Sequence, residues 1–306
     1  MNPLASAMAH PRSAAVLGAL AIAFSGIFYR WSEVSPSTGV FFRCLYGLPI
    51  LLLVAAGEWR RIGPMDRRAI GLSAVAGVFF AVDLITFHYA VDLMGAGLGT
   101  VMGNVQVVFV AVVAWLAFGE RPSREVVIAI PVMLFGVFLI SGVVGAGAYG
   151  ENPQLGVLVG LLTAASYAGY LLVIRRASPD RRPAGPVTIA TAVTAVCALL
   201  FGLAVGDIDL VPSLPAHAYL IALGVLSQSV GYLVIQVSLP RLPAVITSVL
   251  LLIQPVTTVF LGAILLGELP SAFQLAGVAL VISGIALATG AVRRIADTLA
   301  GRTQPA

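Results

Sequence analysis

The sequence predicts an all-α membrane protein: ten transmembrane helices arranged as two inverted five-helix repeats. Three observations carry that prediction. Of 306 residues, 59% are hydrophobic and 10% charged, with a mean hydropathy of +1.03, against roughly 25% charged residues in a soluble domain. Apolar runs near 20 residues, the length that crosses a ~30 Å hydrocarbon core, recur almost without pause. A hexapeptide also returns: FGERPS at 118–123 is echoed by LGELPS at 266–271.

The ten expected spans are 14–33, 36–57, 69–91, 96–117, 126–145, 154–175, 186–205, 216–238, 243–265 and 272–292. Continuous apolar runs of this length lack the alternation of a membrane strand, and a helix satisfies its own backbone in lipid. The first span is expected to be a retained helix, because the small-residue stretch ASAMA precedes the apolar run, where a signal-peptide cleavage site would follow it. Cys44 and Cys197 fall inside spans without metal-like or CxxC spacing, so no disulfide framework or redox motif is expected.

Charge gives the orientation. With the N-terminus inside, the inner segments hold Arg12, Arg60, Arg61, Arg67, Arg68, Arg121, Arg124, Arg175, Arg176, Arg181, Arg182, Arg241, Arg293, Arg294 and Arg302, fifteen of the 17 basic residues. That asymmetry marks cytoplasmic loops and places both termini inside, with residues 293–306 as a cytoplasmic tail. The opposite loops carry Asp92, Glu151, Asp207 and Asp209. The net charge of +4 therefore reports topology rather than a nucleic-acid partner, and the expected partners are the lipid bilayer and a small-molecule substrate.

Laying 119–142 on 267–290 without gaps gives identities at Gly119/Gly267, Glu120/Glu268, Pro122/Pro270, Ser123/Ser271, Gly136/Gly284, Leu139/Leu287 and Gly142/Gly290. The same offset pairs Gln106 with Gln254, and GALAIAFSGIF of the first span is loosely like GLLTAASYAGY of the sixth. The halves are therefore 14–145 and 154–292. Five spans each is an odd number, so the second half enters the membrane from the opposite side. Inverted repeats of this kind place a transporter's substrate site at midplane between them. In each hexapeptide, Gly ends a helix, Glu supplies charge near the next helix start, and Pro-Ser fits a first turn. Glu120 then lies at the cytoplasmic face and Glu268 at the outer face, where gating or proton binding is the functional alternative.

Counting from each span's centre at ~1.5 Å per residue puts Asp83, Asn104 and Arg43 within roughly 5 Å of midplane, with Gln106, Gln228 and Gln254 close to it. Tyr167 and Tyr170 fall near the same level. A charged Asp at a helix centre costs roughly 2.5–3.5 kcal/mol on the insertion scale. Asp83 therefore either pairs with Arg43 or binds a proton or a cationic substrate group. His88 is four residues from Asp92, a spacing that allows a local pair, with a proton relay as the functional alternative. Gln106, its repeat mate Gln254, and the Gln228–Tyr232 pair at i,i+4 complete the candidate substrate contacts.

Several classes are excluded. The chain has no lysine, so neither a P-loop nor a retinal Schiff base is possible within it. His10, His88 and His217 are scattered, no nucleophile and base stand at recognisable spacing, and no metal or other cofactor is expected.

The two GE-x-P turns, LLLIQPVTTVFLGAILLGE, IPVMLFGVFLI, AGVALVISGIAL and FFRCLYG with Arg43, in this order, resemble the EamA family of the drug/metabolite transporter superfamily. The resemblance implies a gradient-driven carrier of the bacterial inner membrane working by alternating access, an exporter of amino acids or related metabolites, not an enzyme. It further implies a cavity lined by spans 1, 3, 4, 6, 8 and 9, with 5 and 10 peripheral. Ser25 in AFSGIF departs from the aromatic that many relatives carry there. A passive channel, or an uptake carrier for a nucleoside- or vitamin-like metabolite, is the alternative; a homodimer is left open.

Overall fold

The computed structural model describes residues 11–119, 121–177, 184–234 and 244–289, and among these every regular element is helical. The helices are α1 Pro11–Ala23, α2 Ser25–Ser32, α3 Pro36–Ile62, α4 Arg67–Met94, α5 Ala96–Gly103, α6 Gln106–Phe118 and α7 Arg124–Ile140. They continue with α8 Pro153–Ala177, α9 Ala184–Val205, α10 Leu214–Ala222, α11 Leu223–Gly231, α12 Ala244–Leu265 and α13 Ala272–Ala288. Each expected span overlaps a helix or a consecutive pair; 126–145 runs past the end of α7 at Ile140, and 235–238, 243 and 290–292 lie outside the described residues. Seven of the described stretches are both long and apolar enough to cross a membrane; the described apolar parts of α12 and α13 are shorter, and α7 has 17 residues.

Local chemistry sets the helix ends. Ser123, Ser213 and Ser271 are N-caps whose hydroxyls accept from Val126, Ala216 and Gln274, and Asp66 accepts from Ala69 in the same way. Each such cap satisfies an N–H that the helix cannot. At Ser271 a full capping box forms, since Gln274 also reaches back to the Ser271 N–H. Gly119 and Gly267, the repeated glycines, turn the chain at φ 70° and 65°, a conformation that a side chain disfavours. The repeated serine is thus the cap itself, one step earlier than a first-turn residue. Pro49, Pro131 and Pro255 sit inside continuous helices α3, α7 and α12.

Several of the main helix contacts recur when the halves are exchanged. Matching α1/α2 with α8, α3 with α9, α4 with α10/α11, α5/α6 with α12 and α7 with α13, the contact of α4 on α8 has its counterpart in α11 on α1. Likewise α4 on α9 answers α11 on α3, and α6 on α8 answers α12 on α1. The pairs α3–α9, α5–α12 and α7–α13 map onto themselves. Atoms repeat the pattern at α7–α13. A Cβ on Gly136 would meet the Gly277 carbonyl at 2.7 Å and Val281; one on Gly284 would meet the Ala129 carbonyl and Met133. Ala129, Met133 and Gly136 are the offset partners of Gly277, Val281 and Gly284.

Large apolar side chains face outward on the bundle, among them Leu53, Trp115, Leu116, Leu158 and Ile264. Such a surface needs lipid as its solvent. The chain is a multi-pass membrane protein. Cys44 and Cys197 are free thiols.

Candidate functional site

Where α3, α4, α8, α9 and α11 meet, the bundle buries an unusual number of polar groups. Arg43, 1% exposed, donates from Nε to the Gln228 Oε1 at 2.8 Å and from Nη1 to the Ser25 Oγ at 2.8 Å. Gln228 passes the chain on, donating to Thr191 at 3.1 Å. Four polar residues from α2, α3, α9 and α11, two from each half of the sequence, are thereby tied together. Gly47 and Gly224 let the backbones come close here: a Cβ on Gly224 would lie 2.7 Å from the Arg43 carbonyl.

Asp83, 5% exposed, lies beside this network without joining it. Among the described residues the one ion pair within 4 Å is Arg30–Asp92, at 3.2 Å. The expected Arg43–Asp83 bridge is therefore absent as a contact, because the guanidinium is turned toward Gln228 and Ser25. The two charges still interact through space, as Asp83 does with Tyr167 and Tyr170. No hydrogen bond reaches the Asp83 carboxylate from the described residues, and Arg43 keeps Nη2 uncommitted.

An aromatic group adjoins the carboxylate. Phe80 stacks on Tyr170 with centroids 4.5 Å apart, Tyr170 on Tyr167 at 5.7 Å, and Tyr232 meets Phe80 edge-on at 5.6 Å. The buried Tyr170 hydroxyl has no partner among the described residues. Tyr167 and Tyr232 are half-buried.

Gln106 opens α6 just below the break at Asn104, which donates back to the Thr100 carbonyl at 2.8 Å; the Gln106 Oε1 is buried without a partner. Gln254 is half-buried, with its carbonyl accepting from Thr258 at 2.9 Å. Gln228 and Tyr232 do not share a simple helical face, because Leu223–Gly231 is wound as a π-helix. Its wider turn places Gln228 on Arg43 and leaves Tyr232 against Phe80. Sequence periodicity assumes ~3.6 residues per turn and cannot show this. Serines and glycines in LGVLSQSVG are its one visible trace, and Ser229 donates five residues back, to Gly224.

His88 is fully buried and does not pair with Asp92. Its ring stacks on Tyr29 at 3.9 Å, Nδ1 lies 3.4 Å from the Pro36 carbonyl, and Nε2 has no partner among the described residues. Asp92 accepts instead from Tyr29 at 2.7 Å and Arg30 at 3.2 Å. Tyr29, Arg30 and Asp92, with Glu33 and Val34, line a cavity of about 320 Å³.

Carboxylates near the bundle ends do something the sequence did not disclose. Glu58, late in α3, accepts from the Ala184 and Gly185 N–H groups at the start of α9, at 3.0 and 2.9 Å. Asp207, just past α9, accepts from the Ser37 hydroxyl at 3.0 Å and the Ser37 N–H at 3.4 Å at the start of α3. Glu268, 2% exposed, accepts from the N–H groups of Ala96 and Gly97 at 2.5 and 2.9 Å. It caps α5 in the other half rather than its own following helix. Burial pushes the Glu268 carboxyl above its ordinary value, with the two N–H donors and Arg30 acting in the opposite sense. Glu120 lies outside the described residues. No group of metal-binding side chains occurs among the described residues.

A multi-helix lipid-facing bundle in which several contacts recur between the two halves, with polar groups buried between broken and π-wound helices, has the build of a membrane transporter. Comparison with known proteins sharpens this: the EamA-like transporter family matches residues 13–142 and again 154–290, and the chain belongs to that family. An uncharacterized transporter of Synechocystis is 25% identical over 169 residues, 52% of this chain and 50% of that protein, so the match spans about half of that relative. An uncharacterized transporter of Archaeoglobus fulgidus is 23% identical, covering 92% of this chain and 97% of its own length. The pseudopaline exporter CntI of Pseudomonas aeruginosa is 27% identical over 81% of this chain and 84% of its length. One crystal structure superposes with a TM-score of 0.61 at 16% identity, covering 94% of this chain and 99% of that one.

Proposed function

We propose that this transporter is a secondary active carrier that exports a small metabolite, an amino acid or a relative of one, across the bacterial inner membrane. It works by alternating access, coupled to a proton or other ion gradient. The observation that carries this reading is the Asp83 carboxylate: buried between the halves, free of hydrogen bonds from the described residues, and faced by Arg43 and three tyrosines. A buried charge without a partner is costly, so its retention points to a ligand or proton that visits it. A substrate with an ammonium group would satisfy Asp83, and a carboxylate would find Arg43 Nη2. Gln106, Tyr167, Tyr170, Tyr232 and Gln254 supply the remaining contacts, and Gln228 holds Arg43 in place. Asp83 is the coupling group, with His88 as the second candidate.

The recurring contacts support ten spans in two inverted modules, 14–145 and 154–292, with both termini and the tail at 293–306 in the cytoplasm. Exchange between equivalent arrangements of two such modules is what alternating access requires. The name of the Pseudomonas exporter agrees with the outward direction.

The test is counterflow in proteoliposomes loaded with amino acids and related metabolites. Saturable, trans-stimulated exchange that responds to a pH gradient is expected. Flux linear in concentration and indifferent to solute on the far side would assign a passive channel instead.

A further inference from the structure

Three carboxylate caps cross between the halves, and they are not equivalent. Glu58 and Asp207 act at opposite ends of the same helix pair, α3 and α9, and both caps are made at once. A contact present at both ends of the bundle together cannot distinguish one open face from the other. These two pin α3 to α9. Glu268 instead joins α5 to the loop after α12; α6, which follows α5, carries Gln106, and α12 carries Gln254.

The socket around Glu268 is built to its shape. Gly95, at φ 92°, would put a Cβ 2.8 Å from its Oε1; Gly97 would put one 3.1 Å from its Oε2; a Cβ on Gly262 would overlap Oε2. Three glycines from both halves thus leave room for one carboxylate, whose two oxygens meet two N–H groups at a helix start. Arg30 and Tyr149 are the ionisable groups that sense it. Ala96, the first residue it caps, belongs to a buried plug with Ile27, Tyr29, Val91 and Leu223, each at most 1% exposed. On α6, by contrast, no described side chain from Gln106 to Val113 is fully buried.

We infer that Glu268 is the latch of the outer gate: its carboxylate on α5 holds the outer ends of α5 and α12 together, and releasing it opens that face. This rests on the carrier reading, deepens it with a named gate, and can fail separately from it.

The test uses the full chain in lipid nanodiscs, in a Cys44→Ala/Cys197→Ala background, labelled with a membrane-impermeant maleimide. Val91→Cys reports the plug, Leu51→Cys a buried site at the other end, and Val211→Cys an exposed reference. Losing a charge-assisted cap is expected to speed labelling of Val91→Cys about tenfold or more in Glu268→Gln. Leu51→Cys should stay protected and Val211→Cys unchanged. Gly97→Ala, which crowds the socket while keeping the carboxylate, should act in the same direction. Unchanged labelling at Val91→Cys in both variants overturns the latch, as does equal exposure of Leu51→Cys, which would mean general loosening. Counterflow separates the two readings. Exchange that persists with a failed latch leaves the carrier standing, and a moving gate without exchange of any solute refutes the carrier alone.

Discussion

Glu58 and Asp207 cap each other's helix. Glu58 receives the N–H groups of Ala184 and Gly185 at the start of α9, and Asp207, just beyond that helix, receives the N–H and hydroxyl of Ser37 at the start of α3. Ser37 and Gly185 stand 148 residues apart, the offset of the repeated hexapeptides. Each half therefore donates a carboxylate to a helix N-terminus of the other, where the unpaired N–H groups and the dipole favour negative charge.

Removing either member of this reciprocal pair should cost similar stability. Glu58→Ala and Asp207→Ala are each expected to destabilise by about 1–2 kcal/mol, the usual range for a lost cap. Urea or thermal unfolding in mild detergent checks this; a large loss for one and none for the other would refute the equivalence.

At the α7–α13 crossing, Gly136→Ala is expected to lower the melting temperature, because its Cβ would press on the Gly277 carbonyl at 2.7 Å, which cannot swing away as a side chain can. Overpacking of this kind typically costs about 1–3 kcal/mol. Gly57→Ala is the control, since nothing lies within 4 Å of its Cβ, and it should be neutral or slightly stabilising.

Asp83 and Arg43 should separate. Asp83→Asn is expected to keep or raise thermal stability, since no hydrogen bond to the carboxylate is lost, yet to abolish transport. Arg43→Gln should destabilise by about 1–3 kcal/mol by stranding Gln228 and Ser25. Exchanging the two residues should rescue neither stability nor transport, whereas full rescue would restore the ion-pair reading.

Glu268 gives a pH dependence with a definite sign. Burial raises its carboxyl above the ordinary 4.5, so the folded chain binds that proton more tightly than the unfolded one. The stability it contributes is complete below the unfolded value and is lost as pH rises through the higher folded one. The melting temperature of the parent minus that of Glu268→Gln should therefore fall as pH is raised from about 4 upward past 4.5. A gap that widens with pH would show that the two N–H donors outweigh burial.

Much of this protein is legible in its composition and spacing. Apolar runs must become helices in lipid because nothing else there satisfies the backbone, and among the described residues the runs are helical, seven of them long and apolar enough to cross a membrane. The repeat at an offset of 148 is plain in GE-x-P, and Gly136/Gly284 packs as that offset requires. Side-chain pairing was less accessible. Helical spacing allowed His88 to meet Asp92, but Tyr29 and Arg30, from a different helix, took the aspartate first. Depth alone put Arg43 beside Asp83, while the π-helix at Leu223–Gly231 delivered Gln228 to the guanidinium. The acid of LGELPS was legible as charge near a helix start, but the helix it caps lies some 170 residues earlier in the chain.

The sequence by itself determined that the chain dissolves in lipid, how its helices are spaced and that its halves are alike, because solvation and helix length depend on local composition. Only the tertiary structure decided which polar groups satisfy one another and left Asp83 without a hydrogen bond from the described residues. Hydrogen bonds form within about 3 Å, and which groups come that close is set by how separate helices pack.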